Sequence, residues 1–375
     1  MKITHVIQHL GLGGAESFVI ELANQQQRNG HDVDVLIVGK EQHVRDGLHV
    51  RSTSISRKDG PDVGAIRAVG RHLRENRTDV LHAHTAPGLV YGGLGAVLAR
   101  TPVKVFTEHS SSSPSDQYGR KTQLLELIAA RYDAIVTFDD DLQQQLATKR
   151  TLRSARVVVI PNGVSIDDDS VWDRATSRKE LGVTDDVVVV LAVGALRPQK
   201  NYELLIDVAQ RLTTIERDRV THPVQFVIVG EGTERSKLET KIAELHVDNV
   251  RLHGAFANAR RLFRGADVLL NTSTWEGMPI SMLEAMAEKL PIVATRTGSV
   301  ETLLGPDGSF LGTSASSMTA ELSRLLSNPS DLREIAGRGF NRVTQYFSIP
   351  YISQSYEDLY TSLLDKVPPS ANPTA

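Results

Sequence analysis

Two glutamates, Glu276 and Glu284, bracket seven residues that include Gly277 and Pro279, inside the stretch NTSTWEGMPISMLEAMAEKLPIVA at 271–294. Apolar runs at 267–270 and 291–294 flank it, so the pattern predicts strand, loop with the first carboxylate, helix with the second, then another strand. Pro279 suits a first helical turn, where its missing N–H costs nothing. Backbone amides at such a start favour a bound anion. A carboxylate beside an anion site repels the anion unless it serves something else, and hydroxyl groups are the natural partner. The pattern points to a ligand carrying both phosphate and hydroxyls, such as a sugar nucleotide.

Other residues could complete such a site. In ALRPQK, Arg197 and Lys200 fall in the loop after a strand, where cations can neutralise a diphosphate. GLGGAE follows the first strand, but Glu16 holds the place of the third glycine in a dinucleotide fingerprint. Gly13 and Gly14 can still bring backbone N–H groups close to a ligand. His82, His84 and His109 lie at or near strand ends; His109, beside Glu108, is expected to bond a ligand hydroxyl, while His82 and His84 are expected to be structural. The H-x-H pair has no third ligand at convincing spacing, so no metal is expected there. Asp139–Asp141 and Asp167–Asp169 contain Asp-x-Asp, which can hold a divalent cation. The first cluster is expected to cap a helix and the second to lie in a linker.

Composition narrows the class. The chain has 375 residues, 40% hydrophobic and 23% charged, which suits two globular domains. It has no cysteine, which excludes disulfides and thiolate zinc sites and fits a reducing compartment. No signal peptide is apparent after Lys2, and the longest apolar run, 88–99, is too short to span a bilayer. It is expected to be a buried glycine-rich helix. Residues 1–165 carry 20 Lys+Arg against 17 Asp+Glu and the remainder 22 against 28, giving +3 and −6 within the net −3. Nucleic acid is not expected as a partner. Arg67, Arg71 and Arg74 share one face of a predicted helix, which suits peripheral contact with an anionic membrane or a solvated surface.

Strands alternate with helices along both halves, which predicts two parallel α/β sheets covered on both faces, with ligands at the C-terminal strand ends. Pro-Asn-Gly at 161–163 and the acidic segment after it mark a boundary. The expected division is 1–165, 166–349, a helix at 350–365 that packs back on the first domain, and a disordered tail at 366–375.

GGAE (13–16), DVLHAH (79–84), FTEH (106–109), IPNGV (160–164), PQKN (198–201), VGEG (229–232) and STWEGMPISMLEAMA (273–287) occur in the order found in family-4 retaining glycosyltransferases. Over about residues 3–360 the chain resembles that family. The resemblance implies the α/β GT-B fold, two facing Rossmann-like domains with a cleft between them. It implies that Glu276 contacts hydroxyls of the transferred sugar, helped by amides around Gly277 and Met278. Glu284 would hold the ribose, Lys200 would neutralise the diphosphate, and Gly13 and Gly14 would approach it. His109 would contact the donor sugar. Where the family has an arginine after the glycine ending the first strand of its second domain, this chain has Ala195, with Arg197 two residues on.

The expected activity is retaining transfer from a nucleotide-diphospho-sugar to a hydroxyl of a glycan, a lipid-linked sugar or a small glycoside, in cell-surface polysaccharide or glycoconjugate synthesis. Neither a cofactor nor a metal is expected, and the expected location is cytoplasmic, with the membrane's cytoplasmic face as a second site. The alternatives are a sugar-nucleotide epimerase or hydrolase of the same fold, or a non-catalytic sugar-nucleotide-binding protein.

Overall fold

Two apolar sheets organise the chain. The computed structural model describes residues 1–39, 47–109, 122–138, 140–167, 171–214, 222–305, 310–311 and 314–367. It divides into one unit of Met1–Gly163 with the segment from Ile349 onward, and a second of Val164–Ser348.

The first unit holds strands β1 (Lys2–Ile7), β2 (Asp32–Gly39), β3 (Arg51–Ser56), β4 (Val80–His84), β5 (Val103–Thr107), β6 (Ala134–Thr137) and β7 (Arg156–Val159), in the order β3-β2-β1-β4-β5-β6-β7. Every pairing is parallel. Helices on both faces explain why β1 and β4 are buried along nearly their whole length rather than alternating. The edge strand β3 is the exception: RSTSIS is almost wholly exposed and carries no apolar period to betray it.

The glycine-rich run forms a short helix Thr85–Pro87, a π-helical turn Gly88–Gly92 and a helix Gly93–Ala99. Its glycines permit close packing. A Cβ on Gly88 would lie 2.5 Å from Val6 O, and one on Gly95 2.5 Å from Val69 Cγ1. The expectation of a wholly buried helix is corrected in one respect, because Val97 and Leu98 are exposed.

The helix Ile349–Leu364 buries Ile352, Tyr356, Leu359, Tyr360 and Leu363 at helical spacing and packs on the helix Gly14–Arg28. Asn29 Nδ2 donates to Glu357 Oε1 at 2.8 Å. Glycine at 163 makes room for this helix, since a Cβ there would come within 3.0 Å of Ile352 Cβ.

The second unit holds β8 (Val188–Val193), β9 (Val224–Val229), β10 (Val250–Gly254), β11 (Val268–Asn271), β12 (Ile292–Thr295) and β13 (Phe310–Leu311), ordered β10-β9-β8-β11-β12-β13, again all parallel. Its core joins Val190, Phe226, Ile228 and Leu270 to Leu205, Val208 and Leu322 of the covering helices. The helices Arg174–Leu181, Ala315–Leu326 and Pro329–Tyr346 complete it. Arg174–Leu181 opens directly after the segment that reads as linker, where Asp173 Oδ1 accepts from Thr176 N at 2.7 Å as an N-cap.

Both sheets reverse direction of growth beside their first strand, at β1/β4 and β8/β11. Such switch points leave a crevice beyond the carboxyl ends of the strands. Gly13 and Gly14 follow β1, Arg197 and Lys200 follow β8 and Glu276 follows β11, while His82 and His84 stand on β4 and His109 follows β5.

Candidate active site

In the second unit the loop after β8 is shaped by backbone contact with the loop after β9. Gly194 N donates to Val229 O at 3.0 Å and Leu196 N to Glu231 O at 2.9 Å. A Cβ on Gly230 would lie 2.0 Å from Gly194 O, and one on Gly232 2.3 Å from Leu196 O. The glycines of VGEG are there for this approach of two main chains. Pro198–Lys200 then forms one 3-10 turn, closed by Asn201 in a left-handed conformation at φ 48°, which asparagine tolerates better than most residues.

The loop after β11 is tied to that turn. Asn271 Oδ1 accepts from Ser273 N at 3.0 Å, an Asx turn. Thr272 Oγ1 donates to Lys200 O at 2.9 Å, and Gln199 Nε2 to Trp275 O at 2.9 Å. Thr274 N donates to Gln199 O at 2.9 Å. These bonds carry Glu276 to Lys200 across 76 residues of sequence, with Lys200 Nζ 2.6 Å from Glu276 Oε1. Ser273 Oγ donates to the same oxygen at 2.5 Å, and Asn271 Nδ2 lies at 3.5 Å. Ser299 Oγ holds the Glu276 carbonyl at 2.9 Å.

Oε1 is thus filled from within, whereas Oε2 has no hydrogen bond among the described residues and can accept one from a ligand hydroxyl. Lys200 has two further N–H donors for an anion. Burial raises the Tyr202 phenol well above its ordinary range, and the Glu276 charge adds to this. Tyr202 therefore stays neutral and donates to Gly194 O at 3.0 Å.

The helix Ile280–Ala287 starts beyond Pro279 without a side-chain cap, so its first amides face the loop uncapped. Pro279 is the N-cap rather than part of the first turn. Gly277, Met278 and Glu284 are buried. Arg197 is exposed and lines a groove with Asn201, Glu203 and Lys237, outside the cluster of bonds around Lys200 and Glu276.

In the first unit Gly13 caps the helix Gly14–Arg28. A Cβ on Gly13 would lie 2.2 Å from Glu16 Oε2, and Glu16 also meets His9 Nδ1 at 3.1 Å. The Glu16 carboxylate folds over Gly13, and as the end of a flexible side chain it can move aside. Beyond β4 and β5, His84 Nδ1 and His109 Nε2 are 2.9 Å apart. His84 Nε2 lies 3.0 Å from His5 Nδ1, whose Nε2 faces Gln26 Oε1 at 2.8 Å. Separately, His82 Nδ1 faces Tyr360 OH at 2.7 Å and its Nε2 faces Thr107 Oγ1 at 2.7 Å. Burial pushes His5 down to about 4 and His109 to about 3. Burial and neighbouring histidines hold His82 and His84 well below the usual imidazole range. All four are neutral near pH 7.

Ring nitrogens of His5, His82 and His84 come within 4.8 Å of one another, close enough for a metal ion. All six already face hydrogen-bond partners, so the cluster is built as a polar network. Asp140 and Asp141 open the helix Asp140–Thr148, while Asp139, Asp168 and Asp169 lie outside the described residues, as does the end of the tail, 368–375.

Residues 12–168 match the family model described as Glycosyltransferase Family 4, and residues 173–342 match the one described as Glycosyl transferases group 1. The chain belongs to this glycosyltransferase family. It is 27% identical to a D-inositol 3-phosphate glycosyltransferase of Kineococcus radiotolerans, over 88% of this chain and 86% of the relative. A UDP-Gal:alpha-D-GlcNAc-diphosphoundecaprenol alpha-1,3-galactosyltransferase of Escherichia coli is also 27% identical, over 62% of each chain. Among solved structures, Anabaena Alr3699/HepE in complex with UDP-glucose aligns with a TM-score of 0.79 over 96% of this chain and all of that one, at 21% identity. That likeness is one of fold, and the fold is GT-B.

For this glycosyltransferase the sequence missed the residues that aim the named ones. Asn271, Ser273, Gln199 and Thr272 set Glu276 against Lys200. The N-x-S spacing at 271–273 is a legible turn signal; the contacts of Gln199 and Thr272 have none.

Proposed function

We propose that this glycosyltransferase moves a sugar, with retention at the anomeric carbon and without a divalent metal, from a nucleotide-diphospho-sugar to an acceptor hydroxyl. The acceptor is a glycan, a lipid-linked sugar or a small glycoside of cell-surface polysaccharide or glycoconjugate assembly. The observation that carries this reading is the convergence of Lys200 and Glu276 at the β8/β11 switch point. One cation and one half-satisfied carboxylate suit a ligand with both diphosphate and hydroxyls. A relative named for UDP-galactose transfer to a diphosphoundecaprenol-linked sugar, and a fold neighbour holding UDP-glucose, support the donor and acceptor classes.

Glu276 accepts hydrogen bonds from sugar hydroxyls through Oε2, and Glu284 holds the ribose. Amides near Gly277 and Met278 help Glu276 with the sugar hydroxyls, and Lys200 and the Gly13–Gly14 loop meet the diphosphate; Arg197 is a further candidate for it. His109 contacts the sugar. As the anomeric bond breaks, negative charge grows on the diphosphate, and a fixed cation with helix-start amides lowers that barrier. The departing phosphate takes the acceptor proton, so the protein needs no separate base.

The test is transfer of labelled sugar from a panel of sugar nucleotides. With the active donor, Glu284→Ala is expected to raise the donor Kd about tenfold, as for one lost hydrogen bond to a charged group. Glu276→Ala lowers kcat about a hundredfold with a smaller change in Kd. Wild-type kinetics in both variants would remove the assignment.

We place the enzyme in the cytoplasm with peripheral contact at the membrane face. Arg67, Arg71 and Arg74 are exposed on the helix Val63–Glu75 and form no ion pair among the described residues. That helix packs on Gly93–Ala99, which exposes Val97 and Leu98. No helix among the described residues is long and apolar enough to cross a membrane. Flotation with vesicles rich in anionic lipid is expected to carry the protein, and Arg67→Glu with Arg71→Glu to abolish this. Equal flotation with neutral vesicles would contradict it.

A further inference from the structure

The buried histidines form a directional chain. Each neutral imidazole carries one N–H and one lone pair, so each close nitrogen–nitrogen contact needs one donor and one acceptor. Along Gln26, His5, His84 and His109 only two arrangements satisfy every contact, and they run in opposite directions. If Gln26 Oε1 accepts from His5 Nε2–H, then His5 Nδ1 accepts from His84 Nε2–H and His84 Nδ1 accepts from His109 Nε2–H. His109 Nδ1 is then a lone pair. Reversal turns the Gln26 amide over and leaves His109 Nδ1 as an N–H.

The far end of the chain can be completed in either direction, so the choice falls to the near end. Gln26 Nε2 faces Tyr360 OH at 3.5 Å, and Tyr360 OH faces His82 Nδ1 at 2.7 Å. In the first arrangement the Tyr360 O–H donates to His82 Nδ1 and the phenol oxygen accepts from the Gln26 amide, whose Oε1 then turns to His5. His82 in turn donates from Nε2 to Thr107 Oγ1, which stands 3.1 Å from Tyr356 OH. All four histidines share the Nε2–H form, and His82 reports on His109 through Tyr360 and Gln26. At the other end His109 Nδ1 is buried and has no hydrogen-bond partner among the described residues; the His109 ring packs near Phe18 and Phe138, with ring centroids at 5.9 and 5.5 Å. A buried orphan N–H is rarer than an orphan acceptor, which favours the first arrangement.

We infer that Tyr360, through Gln26, His5 and His84, fixes His109 as the Nε2–H tautomer, so that Nδ1 accepts a hydrogen bond from a ligand hydroxyl. Tyr360, Gln26, His5 and His84 are positioning residues, far along the chain from the group they orient. The ligand in question is the donor sugar, so this step rests on the proposed function. It adds a specificity rule: the hydroxyl that His109 reads must be a donor, and fluorine in its place cannot serve.

The experiment is a long-range proton–nitrogen spectrum of the full chain with isotope-labelled histidine rings. The wild type is expected to show His109, His84, His5 and His82 each protonated at Nε2. Tyr360→Phe removes both the donor to His82 and the acceptor for Gln26, and should average the two tautomers at His109. It should also lower kcat/KM about tenfold, the size of one hydrogen bond. Gln26→Leu should have the same spectral effect if Tyr360→Phe folds poorly. A proton on His109 Nδ1 in the wild type, or mixed tautomers among the four, would overturn the assignment. So would an unchanged His109 signal in both variants. If His109→Ala retains wild-type transfer while the spectrum stands as expected, the sugar contact fails and the relay has no ligand to serve.

Discussion

Lys200→Ala is expected to lower kcat/KM for sugar transfer about a thousandfold, the upper range for losing one preorganised charge at a developing anion. Two effects combine. On the proposed reading the leaving diphosphate loses a fixed cation, and Glu276, buried and aimed by Ser273 and Asn271, loses its counter-charge at 2.6 Å. The second effect is one of stability and can be separated from the first. Lys200→Ala with Glu276→Gln should recover thermal stability that Lys200→Ala loses, without recovering activity; this non-additivity is the signature of a coupled pair. Lys200→Arg should not restore the wild-type rate. A planar fork differs from a point charge, and the lysine stem is confined by Gly194, where even a Cβ would lie 2.9 Å from Lys200 Cε. Retention of kcat/KM within fivefold in Lys200→Ala would sink the assignment of Lys200 to the leaving group.

How far the sequence reached follows from the range of each interaction. Val- and Ile-rich runs separated by amphipathic helices are local patterns, and both parallel sheets could be read from them. The polar edge strand β3 and the two-residue β13 could not, because neither carries a buried period. The motif around Glu276 and Glu284 was legible as loop and helix. Its meeting with Lys200 needed β8 beside β11, and that neighbour relation lies in the strand order rather than in any window of residues.

The histidines make the same point more sharply. His5, His82 and His84 stand on β1 and β4, which pair with His5 opposite His82. Gln26 and Tyr360 come from two helices 334 positions apart in the chain. Read alone, His82 and His84 are two strand histidines, and the direction of their hydrogen bonds exists only once the sheet and both helices are assembled. Gly13 shows the converse. Its type suggested a phosphate approach, yet the space beside it is taken by the Glu16 carboxylate.

Glu288→Ala is expected to destabilise the second unit by about 3–5 kcal/mol, the cost of stripping one partner from a buried ion pair. Glu288 caps the C-terminal end of the helix Ile280–Ala287, where the helix dipole disfavours a carboxylate. Arg260 explains its presence. Arg260 Nε and Nη2 reach Glu288 Oε1 at 3.0 and 2.8 Å, and Arg264 Nε reaches Oε2 at 2.7 Å. The Arg260 and Glu288 side chains are 1% and 2% exposed, so water cannot replace the lost partner. A loss of that size should lower the unfolding midpoint by roughly 10 °C for a unit of this length. Glu288→Gln, which keeps an acceptor but not the charge, should lose less. Glu284 rides on the same helix, so the alanine variant also tests whether the helix is held from both ends. Below its transition it should bind donor and turn over within about threefold of wild type, because the Lys200–Glu276 contacts approach the helix from its other end and leave Glu288 out of the chemistry. A midpoint unchanged to within a degree would show that Arg260 finds another partner. A large loss of donor affinity at full stability would instead make Glu288 part of the site.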